Sequence, residues 1–525
     1  MESTDRPIIL LATEDLDTDR DKQTVSWATM LKEGLRDEFK FINVAFSKER
    51  DAGKIYKHHQ NIFMDYIVPE WDKYDTNTQT TFAEGRSYAE YLKKKARTTQ
   101  KEIDLFFIPV FRDFMECLKN PARSQQIGGQ AIYGLWKYFQ YYDYKKTLSN
   151  QSTWTYFKQF LKDYIDQQQA SEYQDLSCLF DVTSEMHVIY QVLKPIVMSI
   201  PRTNVSMSAL SGFSVIPSIV SKFEYGVPFI ITEQENNISV QLHKISQSDF
   251  PYSIRKILSD FTILLTSIAY YYADQILPVC GSNKTWELQL GAETEKIQIV
   301  PNGIDTRIFK PQSKPDRLKH RPTVVSVNPI VPIKDIETMI KSCKVISEKI
   351  PEILYLVYGD LDMEPEYVYR CRRLIHKLHL EHNFKLAGLP SSVSACYNEG
   401  DIYLVSSKYE GISHTMLEAM SCGKPVISTN VGNMKELLNE NGIICKKEDP
   451  VELGEAVMAL FKYKGLRREM AQNSRKIVLE NYSKEHFVNQ YSSILNQILK
   501  KHRDSREHLI TVPSVKKLLM LDNLR

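Results

Sequence analysis

The chain is predicted to be an α/β protein of two doubly wound parallel-sheet domains facing a cleft, with a helical insertion in the first. Three observations lead there. From Thr323 onward, short β-rich runs alternate with helix-period segments, the signature of a parallel sheet with covering helices. The opening residues repeat that alternation, with Ile8–Thr13 read as a strand, Thr24–Leu35 as a helix and Phe39–Phe46 as a strand. Between the two regions, Val300-Pro-Asn-Gly-Ile-Asp305 supplies a strand end and a tight turn where the chain passes from one domain to the other.

The second half gives six expected strands, over 323–327, 353–358, 384–387, 402–406, 426–429 and 443–445. Helical periodicity fills the gaps over 334–350, 365–379 and 451–463, and a last long helix is expected over 484–500. In the first half the pattern changes after residue 50. Residues 50–200 are aromatic, lysine-rich and mostly helical, with 88–95, 103–118 and 131–144 as examples. The core then resumes with strands expected over 204–210, 228–232, 275–279 and 296–300, separated by helices over 212–224, 251–273 and 282–290. The expected division is a first domain over 1–305 with its insertion at about 50–200, a second domain over 306–480, and a returning helix and tail over 481–525.

Bulk properties exclude more than they assert. A chain of 525 residues, 42% hydrophobic and 25% charged, has material for more than one buried core. Lys plus Arg number 67 against 65 Asp plus Glu, so no overall basic excess points to nucleic acid as a partner. The eight cysteines show no C-x-x-C spacing and read as free thiols of a reducing compartment. The N-terminus has no secretory pattern, and no apolar run reaches the roughly 18 residues of a membrane span, so a cytoplasmic location is expected.

Chemistry is declared at one place, Glu410-Gly-Ile-Ser-His-Thr-Met-Leu-Glu418. It lies between a buried-strand pattern over 401–407 and a second strand opened by Pro425. A loop in that position sits at the carboxyl edge of a parallel sheet, where open α/β sheets bind ligands, and the first amides of the following helix have no intrahelical partner. Free amides at the positive end of a helix dipole seat phosphates. Helical geometry separates the two carboxylates by about 12 Å along the axis and about 80° around it, enough to grip opposite ends of a nucleotide sugar. Alone, a Glu-x7-Glu spacing is more often dipole complementation than a site.

The wider phrase, from Tyr409 to Leu438, resembles the donor-site signature of retaining glycosyltransferase family four. The helix-rich block before Ser208-Ala-Leu-Ser-Gly212, the strand 228–234, Ala273-Asp-Gln-Ile276, the 299–305 turn and Val331-Pro-Ile-Lys-Asp335 resemble more closely the Pel-exopolysaccharide type of that family. Matching phrases run from about residue 150 to 440; most are scaffold, and only 410–418 and Lys334 are specific to donor chemistry. The resemblance implies a GT-B architecture of two Rossmann-like domains and transfer, with retention, from a nucleotide diphosphate sugar, a UDP-sugar by preference. The acceptor would be a glycan, a lipid-linked glycan or a protein. Glu418 would accept from the ribose hydroxyls and Glu410 would face the sugar. The amides of Gly411, Ile412, Ser413, His414, Thr415 and Met416 would hold the sugar and the diphosphate. Lys334 would neutralise the departing phosphate, a charge that grows in the transition state. No cofactor and no metal enter this scheme, and the acidic runs 15–19 and 360–362 read as solvated loops.

Three positions depart from the family pattern. The stretch 18–27 lacks the paired glycines that let backbone approach a diphosphate, Pro329 stands where an arginine is usual, and Gln234 replaces a histidine that touches the sugar. Losing one such donor typically costs about 3–4 kcal/mol of transition-state stabilisation. Arg20, Lys22 and Arg202 are candidates, by charge and position, to replace the missing cation. Two readings therefore stand: an active transferase, and a catalytically degenerate subunit that binds glycan, nucleotide or an active partner glycosyltransferase. The basic runs 91–97 and 499–503 leave open a peripheral contact with an anionic membrane surface, against the commoner solvated face. The insertion aromatics Trp136, Tyr138, Phe139, Tyr141, Tyr142 and Tyr144 are expected in the core, with sugar stacking as the alternative.

Overall fold

A computed structural model describes residues 6–14, 22–47, 62–69, 88–166, 179–234, 237–390, 392–410, 413–438, 441–501 and 510–521. The chain forms two compact units, one of residues up to 278 with 283–299 and 492 onward, the other of 279–282 with 300–491.

The sheet of the first unit contains β1 (Ile8–Glu14), β2 (Lys40–Ser47), β3 (Ile62–Pro69), β4 (Val205–Ser208), β5 (Phe229–Glu233) and β6 (Gln275–Pro278), in the order β3-β2-β1-β4-β5-β6. Every pairing is parallel. The second unit repeats the order with β7 (Thr323–Val327), β8 (Leu354–Tyr358), β9 (Phe384–Gly388), β10 (Ile402–Val405), β11 (Val426–Thr429) and β12 (Gly442–Cys445), arranged β12-β11-β10-β7-β8-β9 and again parallel throughout. Both sheets are doubly wound, so each reverses direction once, between β1 and β4 in the first and between β7 and β10 in the second. Central strands such as β4 and β10 are buried at every residue, which is why they read as unbroken apolar runs rather than alternating ones.

The insertion aromatics are core. Trp136, Tyr138, Phe139 and Tyr142 are buried, and Tyr133 stacks on Phe223 with ring centroids 5.3 Å apart. Their helix, Gln125–Tyr141, touches its neighbours closely because it carries glycine at the contact: a Cβ on Gly129 would lie 2.3 Å from the Tyr272 ring. On the basic run, Lys94 donates to the carbonyl of Phe139 at 2.6 Å, while its helix, Tyr88–Arg97, buries no side chain. Arg503 lies outside the described residues.

Four expectations need correction. The supposedly helical block contains β3, a run of Ile, Phe, Tyr and Val closed by Pro69 whose β-composition outweighs its surroundings. Residues 296–300 make no strand; Ile297 alone bridges Ile276 at the sheet edge before Pro301 interrupts. The helix expected from Lys334 starts at Ile336, because Pro332–Lys334 form a single 3₁₀ turn and Asp335 adopts a left-handed φ of 49° as the N-cap. Finally, Lys464–Asn481 is an 18-residue helix that its low apolar content concealed.

Candidate active site

Lys334 and Glu410 lie on the loops that follow β7 and β10, the two strands flanking the switch point of the second sheet. Ligands of open α/β sheets bind at this place, because the diverging loops leave a crevice. The two loops are pinned together. The Lys408 amide donates to the Ile333 carbonyl at 2.9 Å, and the Ser406 hydroxyl donates to the carbonyls of Lys334 and Asp335 at 2.9 and 3.0 Å. Asp335 is buried and accepts from the Thr338 hydroxyl at 2.7 Å, which holds the left-handed kink that turns Lys334 off the helix axis. The outcome is an ion pair, Lys334 Nζ to Glu410 Oε2 at 2.5 Å, with Glu410 only 7% exposed. A charge-assisted pair that is largely dehydrated is held far more firmly than a surface pair.

The signature helix is His414–Ser421, so Glu418 lies one turn inside it while Glu410 precedes it, and the uninterrupted helical spacing expected between the two carboxylates does not hold. Its carboxylate accepts from the hydroxyl of fully buried Tyr397 at 2.5 Å. Burial pushes the Glu418 carboxyl up to about 7, partly offset by that hydrogen bond. His414 is hydrogen-bonded to Asn302 at 3.0 Å, and burial lowers its pKa to about 4, so the ring is neutral near pH 7. Tyr403, buried on β10, has its hydroxyl within the electrostatic reach of both Glu410 and Glu418 and donates to the Val327 carbonyl at 3.3 Å.

The helix start is partly self-satisfied. Ser413 is the N-cap, and its hydroxyl accepts from the Met416 amide at 3.3 Å. That removes one amide from the proposed phosphate seat, and the Met416 side chain is core. The amides of His414 and Thr415 remain, as first-turn positions, without intrahelical acceptors. Gly411 and Ile412 lie outside the described residues, as do Arg20 and the acidic run 15–19; of Lys22 and most of the glycine-free loop only the helical backbone from 22 onward is described. Gln234 directly follows β5 in the other unit, where it donates to the Thr232 hydroxyl at 3.1 Å, and Arg202 belongs to that unit too. The second run, 360–362, is a loop in which Asp360 accepts from the Asp362 amide at 2.8 Å.

The corresponding switch point of the first unit is filled by the protein itself. Glu14, at the end of β1, accepts from the amide and the hydroxyl of Ser214 at 2.9 and 3.0 Å, at the head of the helix Val215–Tyr225. Gly212 leaves room there for the Glu14 carboxylate, which a Cβ would approach to 2.3 Å. An anion seat occupied by an internal carboxylate is closed to a phosphate. Tyr397, Tyr403 and Asn302 were not singled out from the sequence; for Tyr403 alone, a tyrosine inside an otherwise apolar strand pattern is a usable signal, since a buried hydroxyl needs a partner.

Two doubly wound parallel sheets of the same strand order are the architecture of the GT-B class of fold. Solved structures agree on the fold: HepE of Anabaena in complex with UDP superposes with a TM-score of 0.57 at 13% identity, covering 94% of this chain and all of that one. Sucrose-phosphate synthase of Thermosynechococcus elongatus gives the same TM-score, identity and coverage. The chain belongs to the family described as domain of unknown function (DUF3492), which matches residues 25–295, and the family described as glycosyl transferases group 1 matches residues 309–477. Among curated relatives, N-acetyl-alpha-D-glucosaminyl L-malate synthase of Bacillus anthracis is 25% identical over 233 residues, 43% of this chain and 59% of the relative. Trehalose synthase of Thermococcus litoralis is 27% identical over 38% of this chain and 53% of its own length. An uncharacterised glycosyltransferase of Methanocaldococcus jannaschii is 22% identical over 59% of this chain and 77% of its own. The chain thus spans a little over half the length of the first two.

Proposed function

We propose that the protein is a retaining glycosyltransferase that takes a nucleotide diphosphate sugar, with uridine as the base, and transfers the sugar to a glycan, a lipid-linked glycan or a protein. The observation that carries this reading is the Lys334–Glu410 pair at the second switch point, on the loop that leads into the helix bearing Glu418, whose first amides are free of intrahelical acceptors. In the resting protein each charge neutralises the other. An arriving diphosphate would draw Lys334 away and release Glu410 toward the sugar, so that the cation meets negative charge as the bond to the anomeric carbon breaks. Glu418, oriented by Tyr397, would hold the ribose. Names of relatives support the class of reaction, and the UDP of the HepE complex supports the choice of base. The self-filled first switch point supports a donor held by the second unit.

A degenerate, binding-only member is the second reading, favoured by one observation: the signature lysine is already neutralised and Pro329 stands where a further cation is usual. The test is to incubate the purified chain with individual UDP-sugars and follow thermal stabilisation and slow donor hydrolysis. Stabilisation with hydrolysis that is lost in Glu410→Ala is expected; stabilisation without turnover by any UDP-sugar would establish the second reading, and no stabilisation by any nucleotide sugar would defeat the first.

A further inference from the structure

The opposite edge of the second sheet carries a feature that sugar transfer leaves unused. Two adjoining pockets of about 280 and 590 Å³ open there, beside Pro322 before β7, Asp401 before β10 and Pro425 before β11, and they share Asp401, Lys464 and Arg467. The smaller is lined by Lys314, Lys424, Lys464, Arg467 and Arg468. The larger adds Lys319, Arg321, Lys349 and Lys462. Nine cations therefore face two carboxylates, Asp401 and Glu352, a surplus of seven in a chain whose whole net charge is +2.

Internal partners account for few of these cations. Lys314 pairs with Asp401 at 2.7 Å, and Arg321 donates to the carbonyls of Glu352 and His382. The remaining seven have no ion pair among the described residues. Lys424 is only partly exposed, and burial lowers the pKa of its ammonium. Keeping an unpaired charge partly out of water is unfavourable, and a bound anion would relieve it. Lys464, Arg467 and Arg468 stand at i, i+3 and i+4, one face of the first turns of Lys464–Asn481. Basic side chains at a helix N-terminus oppose the dipole, so local stability does not explain them.

We infer that this groove binds an acidic polysaccharide, a slender chain bearing a carboxylate on successive sugars. The two pockets are concave and adjoin through Asp401, Lys464 and Arg467, whereas an anionic bilayer offers a flat surface. The groove's lining holds one phenyl ring, Phe461, already covered by Arg467 at 5.1 Å, and so lacks the stacking platform of single-stranded nucleic acid, while its nine cations depart from the charge-depleted centre of a protein interface. The site lies on the edge away from Lys334 and Glu410 and acts whether or not a sugar is transferred.

The experiment measures binding of the whole chain to oligogalacturonate of defined length, with neutral dextran, inorganic polyphosphate and phosphatidylserine vesicles as parallel arms. Oligogalacturonate is expected to bind better than any other arm, with affinity falling at least about tenfold between 50 and 200 mM salt. The double variant Arg467→Gln, Arg468→Gln is expected to lose at least about tenfold while melting temperature and UDP-sugar binding stay as in wild type. Lys424→Gln, a substitution outside that helix, is expected to weaken binding in the same direction. Equal binding by these variants, equal binding of dextran, or preference for polyphosphate or for vesicles would each overturn the assignment.

Discussion

Glu418 shows how position sets chemistry for a single side chain. Burial raises its carboxyl to about 7 while Tyr397 donates to it, so near neutrality it is only partly ionised. A ribose hydroxyl is best accepted by the charged form. UDP-sugar affinity is therefore expected to rise between pH 6 and 8 in a calorimetric titration, and Glu418→Gln should flatten that dependence. Glu418→Ala is expected to weaken nucleotide binding by about ten- to a hundredfold with the fold intact, the worth of a hydrogen bond to a charged group. Binding as tight as wild type would remove the ribose role. Glu287 in the first unit is a different case: it is 1% exposed, neither carboxylate oxygen has a hydrogen-bond partner among the described residues, and burial raises it to about 8. Glu233 is pushed well above the usual range as well, first by burial and then by Glu287. Because the folded pKa lies above the unfolded one, the stability that Glu287 contributes is complete below about pH 4.3 and is lost as pH rises toward 8. Glu287→Gln should therefore gain at least about 1 kcal/mol relative to wild type on going from pH 5 to 8.5, read from denaturant midpoints. A constant difference across that range would contradict it.

Among the elements, the signature helix is decided by its first residue. Ser413 is the kind of residue that caps helices, and its hydroxyl holds the Met416 amide. Removing it in Ser413→Ala is expected to cost about 1 kcal/mol of stability, measured by urea denaturation, and to loosen donor binding by a few-fold because the helix start frays. The Lys334 segment teaches a related lesson. Helical periodicity extends back through Lys334, yet two prolines and the left-handed Asp335 break it, and this break lets the lysine reach Glu410. The strand β3 stands in a helix-rich neighbourhood, yet its own Ile, Phe, Tyr and Val content favours a strand.

At the scale of the molecule, each unit owns a separate hydrophobic core, the first built from the helices of the insertion together with the first sheet and its covering helices, and the second from β7–β12 and their helices. Two cooperative unfolding transitions are expected in calorimetry. A saturating UDP-sugar, at about a hundredfold above its dissociation constant, should stabilise the transition of the second unit by about 2.7 kcal/mol. Stabilisation of the first unit's transition alone would be incompatible with a donor seated near Lys334.

Alternating β-rich and helical runs, the turn at 300–305 and the spacing of Glu410 and Glu418 were enough to read two doubly wound sheets and the residues of the second switch point, because periodicity and loop chemistry are local properties. The pairing of Lys334 with Glu410, 76 positions away, the clamp of Tyr397 on Glu418, the closing of the first switch point by Glu14 and the gathering of cations from five separate segments into one groove were decided only by the tertiary structure. Each depends on which strands lie side by side and on how much water is excluded between distant side chains, quantities that no stretch of chain possesses by itself.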